Sequence, residues 1–333
     1  MQNYHLNRIL NLTGLLAIPI LLSISCSQKE TGWNDSGEAI AFKVASGAAS
    51  TRAELVDNAN IAGFGDGMGV FATAYEGTWD GTQPVDYFYN ALFAPGGDCW
   101  VSRTGSYYWP GKGKAVRFFA YAPYNGEGIT LPGADTKGIP ALGYVNPVNL
   151  ADQQELLVAA TDEVDGCPKV IVQDINFKHA LSAIRFRCDK EMIDGTIDEI
   201  RISGLKGQGT VTMDSTPAWT LEGEDCTYST QTAATPSGED KMPFVHKQGE
   251  ATSLFGTDGE YIFLVIPQEV TADTKIHVWF TPENGHKTEY VKGFPGEIAA
   301  GTLNTIVLNI TKSMIAFTVT VEDLAEGKVI DVS

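Results

Sequence analysis

The chain has 333 residues, with 41 acidic and 23 basic side chains and a net charge of −18. Such an acidic excess excludes a nucleic-acid binder, since phosphate recognition needs Lys and Arg to release counterions, and excludes docking on an anionic bilayer through a basic face. A hydrophobic content of 43 % excludes wholesale disorder, and the length suits about two domains.

Arg8 is the only charged side chain before Lys29. Between them a mostly apolar run, Ile9 to Ile24, is broken by Asn11 and Pro19. It falls short of the about 20 apolar residues of a membrane span and reads as a signal peptide over residues 1–25. Its end, Leu22-Ser23-Ile24-Ser25-Cys26, resembles a lipoprotein box, in which a small residue precedes a Cys that is diacylated before cleavage. Lipid on Cys26 would anchor the chain to a membrane without a span. Cys99, Cys167, Cys188 and Cys226 fit no paired-ligand metal spacing. They read as small buried apolar residues, and the sequence chooses none of the three possible disulfide pairings.

The first strand pattern is Glu38 to Ser46, where Ile40, Phe42 and Val44 share one face and Ala41 and Lys43 the other. A small-residue tract, Gly47 to Ala53, follows, with the composition of an accessible segment. Met68 to Tyr75 reads as a strand. Tyr87-Phe88-Tyr89 opens another, which Pro95-Gly96-Gly97-Asp98 breaks. Trp100 begins a short segment, and Ala115 to Pro123 is strongly strand-like. A brief helix is expected over Asp152 to Ala160. Further strand patterns cover Val170 to Val172, Phe177 to Arg187, Ile197 to Ile202, Gly209 to Met213, Tyr261 to Pro267, Lys275 to Phe280 and Thr305 to Ile310. The last pattern, Ile315 to Glu322, sets Ile315, Phe317, Val319 and Val321 on one face. Short strands with glycine-rich turns predict an all-β chain of two β-sandwich domains in series, 53–168 and 169–333.

Catalytic signals are sparse. Gly-x-Ser-x-Gly and HExxH are missing, and Gly63-Phe64-Gly65-Asp66-Gly67 lacks the Lys of a phosphate loop. His179 and His277 fall inside strand patterns and read as structural. Tyr107 and Trp109 share a face, which favours core packing over a sugar-stacking platform. Asp162, Glu163 and Asp165 read as a solvated charge run. The expectation is a protein that is not an enzyme, without cofactor or metal.

Several short motifs recur in a particular order. After Cys26 come a strand and Thr51-Arg52-Ala53, then Tyr108-Trp109-Pro110 and Val116-Arg117-Phe118-Phe119-Ala120-Tyr121-Ala122-Pro123. Glu155-Leu156-Leu157-Val158-Ala159, Phe177-Lys178-His179-Ala180-Leu181-Ser182, Leu264-Val265-Ile266-Pro267-Gln268 and Gly301-Thr302-Leu303-Asn304-Thr305 complete the order. Together they resemble the fimbrillin family, the subunits of lipoprotein-derived type V pili. The resemblance implies two transthyretin-like sandwiches and a place in a surface pilus or pilus-like adhesin at the outer membrane. The partners it implies are other pilus subunits, with a host or bacterial surface ligand. It also implies that an arginine-specific protease removes an N-terminal strand, and Arg52, followed by Ala53, matches that position. Residues 26–52 would then be a lipidated propeptide. Losing a strand bares backbone N–H and C=O groups over an open core, which a strand from another subunit can fill. On this reading Ile40, Phe42 and Val44 belong to the displaced strand, and Ile315, Phe317, Val319 and Val321 to the donor. The alternative reading is a lipid-anchored surface glycan-binding protein.

Overall fold

A computed structural model describes residues 37–44, 66–230, 243–250, 252–253, 263–312, 314–323 and 328–330. Among them the chain is nearly all β, with one short 3-10 turn at Leu150–Asp152. In chain order the first strands are β1 (Ala41–Lys43), β2 (Met68–Tyr75), β3 (Phe88–Pro95), β4 (Trp100–Ser102), β5 (Ala115–Ala122), β6 (Ile129–Thr130) and β7 (Ala141–Val145). Next come β8 (Leu157–Ala160), β9 (Val164–Asp165), β10 (Val172–Asp174), β11 (Lys178–His179), β12 (Ser182–Cys188), β13 (Gly195–Thr212) and β14 (Trp219–Ser229). The rest are β15 (Phe244–His246), β16 (Thr252–Ser253), β17 (Phe263–Val265), β18 (Lys275–Pro282), β19 (Thr288–Gly293), β20 (Thr302–Ile310), β21 (Ile315–Asp323) and β22 (Lys328–Ile330).

These strands form three sheets. Sheet I has the order β10-β1-β4-β3-β2-β5-β8-β11, with β9 also on β5. Sheet II runs β16-β12-β20-β21-β22, with β17 also on β12. Sheet III runs β19-β18-β13-β7-β6, with β14 and β15 also on β13. The strand period of two sorts side chains into three cores. On β2, Met68, Val70 and Ala72 enter a first core drawn from sheet I and its flanks, so the sheet curls around its own interior. A second core lies between sheets II and III, with Ile184 and Phe186 of β12 facing Ile200 and Ile202 of β13. Phe71, on the opposite face of β2, enters a third core, where it meets Leu142, Val211, Leu264 and Leu303 from the other two sheets.

The brief helix expected over Asp152 to Ala160 does not form: β8 occupies its second half. Leu156, Leu157, Val158 and Ala159 are all buried, because one face of β8 enters the first core and the other the third. Burial on both faces gives a continuous apolar run, which periodicity alone does not separate from a helical segment. The Phe177 to Arg187 pattern is divided between β11 in sheet I and β12 in sheet II. Conversely, the Ile197 to Ile202 and Gly209 to Met213 patterns are parts of one 18-residue strand, β13. Pairing also crosses residue 168. After it, β10 and β11 join β1 and β8, and before it, β6 and β7 belong to sheet III.

Candidate functional site

The seat of β1 is built from residues far apart in the chain. Ala41 and Phe42 pair antiparallel with Val101 and Trp100 of β4. On its other side β1 pairs parallel with β10, Ala41 against Val172 and Lys43 against Asp174. The flanks extend the ladder: Ile40 N donates to Tyr107 O at 2.8 Å, Trp109 N to Glu38 O at 3.2 Å, and Ile175 N to Lys43 O at 3.1 Å. The first strand therefore occupies an interior position of sheet I, and among the described residues β10 meets the sheet only through it.

Alternation drives Ile40, Phe42 and Val44 into the first core, where all three are buried. The Phe42 ring meets Phe93 edge-on at 4.8 Å and Phe118 at 5.0 Å. Burying a large apolar side chain contributes about 1.5–3 kcal/mol, so the three together hold β1 by roughly 4.5–9 kcal/mol before the entropy of ordering it is counted. Without β1, the edges of β4 and β10 would lose their partners, and Phe93 and Phe118 would lose a wall.

The second apolar row lies elsewhere. β21 pairs antiparallel with β20 along its whole length, from Ile310 against Ile315 to Thr302 against Asp323. Ile315, Phe317 and Val319 are half-buried against the second core, and Val321, also half-buried, pairs with Asn304. Hence the two apolar rows singled out in the sequence sit on different sheets and different cores. Cys26, Arg52 and Ala53 lie outside the described residues.

Other sequence features fall into place around this seat. Tyr107 and Trp109 pack inward, Trp109 meeting Phe118 edge-on at 5.8 Å, while Tyr108 is exposed. Asp162, Glu163 and Asp165 line a surface cavity of about 680 Å³ that reaches Gln173 and Asp174 of β10. All three acids are exposed, as a solvated run requires; Glu163 also accepts the Tyr75 hydroxyl at 2.7 Å, and burial followed by that contact pushes the Tyr75 hydroxyl well above its usual range. Cys99 and Cys188 are buried, and burial pushes the Cys188 thiol up to about 12. Sequence reasoning missed β10 as a wall of the seat, because a parallel partner more than a hundred residues away leaves no local signature. Val170-Ile171-Val172 was the available signal, and only Val172 of that run joins β10.

A small apolar strand closing a curled sheet, with a second apolar row on another sheet, defines an all-β protein whose two apolar rows are its candidate functional parts. A profile of the fimbrillin-like family matches residues 51–323, and the chain belongs to that family. It is 28 % identical over 211 residues to the fimbrium subunit Fim1C of Phocaeicola vulgatus. That match covers 58 % of this chain and 55 % of the relative, so the chain spans about half the length of the curated relative. A solved fimbrial protein from Bacteroides vulgatus ATCC 8482 superposes with a TM-score of 0.58 at 17 % identity, covering 78 % of this chain and 93 % of that one. A second solved structure, from Bacteroides uniformis ATCC 8492, gives 0.52 at 16 % identity over 86 % of this chain and 98 % of the other. At these identities the structural likenesses speak for the fold alone.

Proposed function

We propose that this chain is a structural subunit of a cell-surface fimbrium, built into it by strand exchange after cleavage behind Arg52. Family membership supports the fimbrial role. The observation that carries the exchange is the interior seat of β1, a three-residue strand with buried side chains between β4 and β10. In the precursor, lipid on Cys26 holds the chain at the outer membrane while β1 closes the first core. Cleavage after Arg52 leaves residues 26–52 held by non-covalent contacts only. A strand from a second subunit then completes sheet I by β-augmentation, with backbone hydrogen bonds giving affinity and apolar side chains giving register.

The segment around β21 is the proposed donor. Ile315, Phe317 and Val319 are half-buried where they stand, so transfer into a closed core removes further apolar surface from water. The opposing cost is the β20 edge that β21 would leave behind. Assembly of this kind uses backbone edges and apolar faces and needs no catalysis.

Two variants test the reading after treatment with an arginine-specific protease, with polymers counted by electron microscopy and gel electrophoresis. Arg52→Ala should leave the precursor uncut, and deletion of residues 314–333 should give cut subunits that stay monomeric. Polymers forming as readily from both as from the unaltered chain would refute strand exchange.

A further inference from the structure

Ser203, His277 and Glu289 come from three adjacent strands of sheet III, β13, β18 and β19. Their neighbours Ile202, Ile276 and Val278 point into the second core, so alternation turns Ser203 and His277 to the opposite face. His277 Nδ1 is 2.8 Å from Glu289 Oε1, and its Nε2 is 3.0 Å from Ser203 Oγ. An ionised carboxylate only accepts hydrogen bonds, so the neutral ring carries its proton on Nδ1 and offers the Nε2 lone pair to the Ser203 hydroxyl. The ring is also held from the side, as Trp279 stacks on it at 5.9 Å with planes 12° apart. The Arg201 guanidinium, paired with Glu199, lies 4.5 Å from the Trp279 ring, and strand alternation sets Arg201 on the same face as Ser203.

We infer that Ser203 is a nucleophile, with His277 as its general base and Glu289 as the group that orients the base, and that this face hydrolyses small carboxylic esters. A nucleophile, a base within hydrogen-bond reach and a third group fixing the base form the arrangement that activates serine. Ser203 Oγ attacks the ester carbonyl carbon while its proton passes to His277 Nε2. The attack leaves a tetrahedral oxyanion on the former carbonyl oxygen. The carbon–oxygen bond to the alcohol then breaks, and the alcohol leaves with the proton from Nε2. Water cleaves the acyl-serine by the same route, releasing the carboxylic acid and returning a proton to Ser203. The His277 side chain is 23 % exposed and that of Glu289 43 %, so the face is open rather than a cleft and suits a short acyl group that protrudes from its carrier.

This activity is independent of strand exchange, which uses other strands. The test treats the full-length folded chain with a fluorophosphonate and locates the adduct by mass spectrometry on the tryptic peptide Ile202–Lys206, with p-nitrophenyl acetate hydrolysis measured in parallel. Phosphonylation of Ser203 is expected, absent from the urea-unfolded chain. His277→Gln should slow it by at least about a hundredfold, the low end of what a general base supplies, and Ser203→Ala should remove both the adduct and the ester hydrolysis. A folded wild-type chain unlabelled at Ser203, or labelling as fast in His277→Gln as in wild type, would overturn the inference. The wild-type result stands even if a variant misfolds.

Discussion

Tyr121 shows how one residue joins burial to a polar constraint. Its side chain is fully buried, and its hydroxyl contacts Asn90 Oδ1 at 2.8 Å and Asn125 Oδ1 at 3.2 Å. Burial outweighs the lowering effect of the Asn125 backbone N–H, which donates to the hydroxyl at 3.3 Å, and of the Asn90 side chain, and pushes the hydroxyl up to about 12 from the ordinary 10.0. A raised folded-state value means that the folded chain holds this proton more tightly than the unfolded chain. The stabilisation is therefore complete below about pH 10 and is lost as the pH rises through about 12. A shift of that size corresponds to about 2–3 kcal/mol. Denaturant unfolding between pH 9 and 12 should show stability falling more steeply in the wild type than in Tyr121→Phe, and equal slopes would exclude Tyr121 as a source of the alkaline loss.

At the scale of elements, β13 shows what periodicity conveys and what it conceals. Its pairing with β14 shifts register between Ser203 and Leu205, and Gly204 is the residue between them. Gly204 has φ +74°, and a Cβ there would lie 2.3 Å from the backbone oxygen of Asp273. Gly204→Ala should therefore cost about 1–3 kcal/mol, the order of a strained backbone conformation. Urea denaturation would measure it, and a loss under 0.5 kcal/mol, the range of a plain surface substitution, would show that the bulge tolerates a side chain. The same bulge explains why β13 reads as two strands in the sequence: the apolar alternation lapses around Ser203 to Gln208 while the ladder continues. The rows Ile40, Phe42, Val44 and Ile315, Phe317, Val319, Val321 were legible because alternation is local. The seat of β1 was not, since Trp100, Val172, Phe93 and Phe118 come from four separate stretches of chain and converge on β1 only through long-range pairing and packing. Ser203, His277 and Glu289 were hidden for the same reason, being separated by 74 and 12 positions and joined diagonally across three strands.

For the whole molecule, the third core decides how the two halves behave. It takes Phe71, Phe119, Tyr121 and Val158 from sheet I, Ala183, Leu264 and Leu303 from sheet II, and Leu142, Tyr144 and Val211 from sheet III. Ala180 and Leu181, the two residues between β11 and β12, are themselves buried in it. A linker between independent domains is exposed and crossed by few contacts, and this junction has neither property. Asn146 reinforces it: its side-chain amide donates to Tyr228 Oη at 2.9 Å and to the Leu264 backbone oxygen at 2.6 Å, tying the segment after β7 to β14 and β17. The halves should then unfold together, since neither can open without exposing the core it shares. Leu181→Ala tests this at the joint itself. Removing that buried side chain should destabilise the chain by about 2–5 kcal/mol and move a single calorimetric transition as a whole. Two resolved transitions in the wild type, or a variant in which one moves while the other stays, would show that the third core does not couple the halves. Such coupling bears on assembly. A sheet I opened by the loss of β1 would still be supported by sheets II and III through the third core, which keeps the vacated seat in shape for an incoming strand.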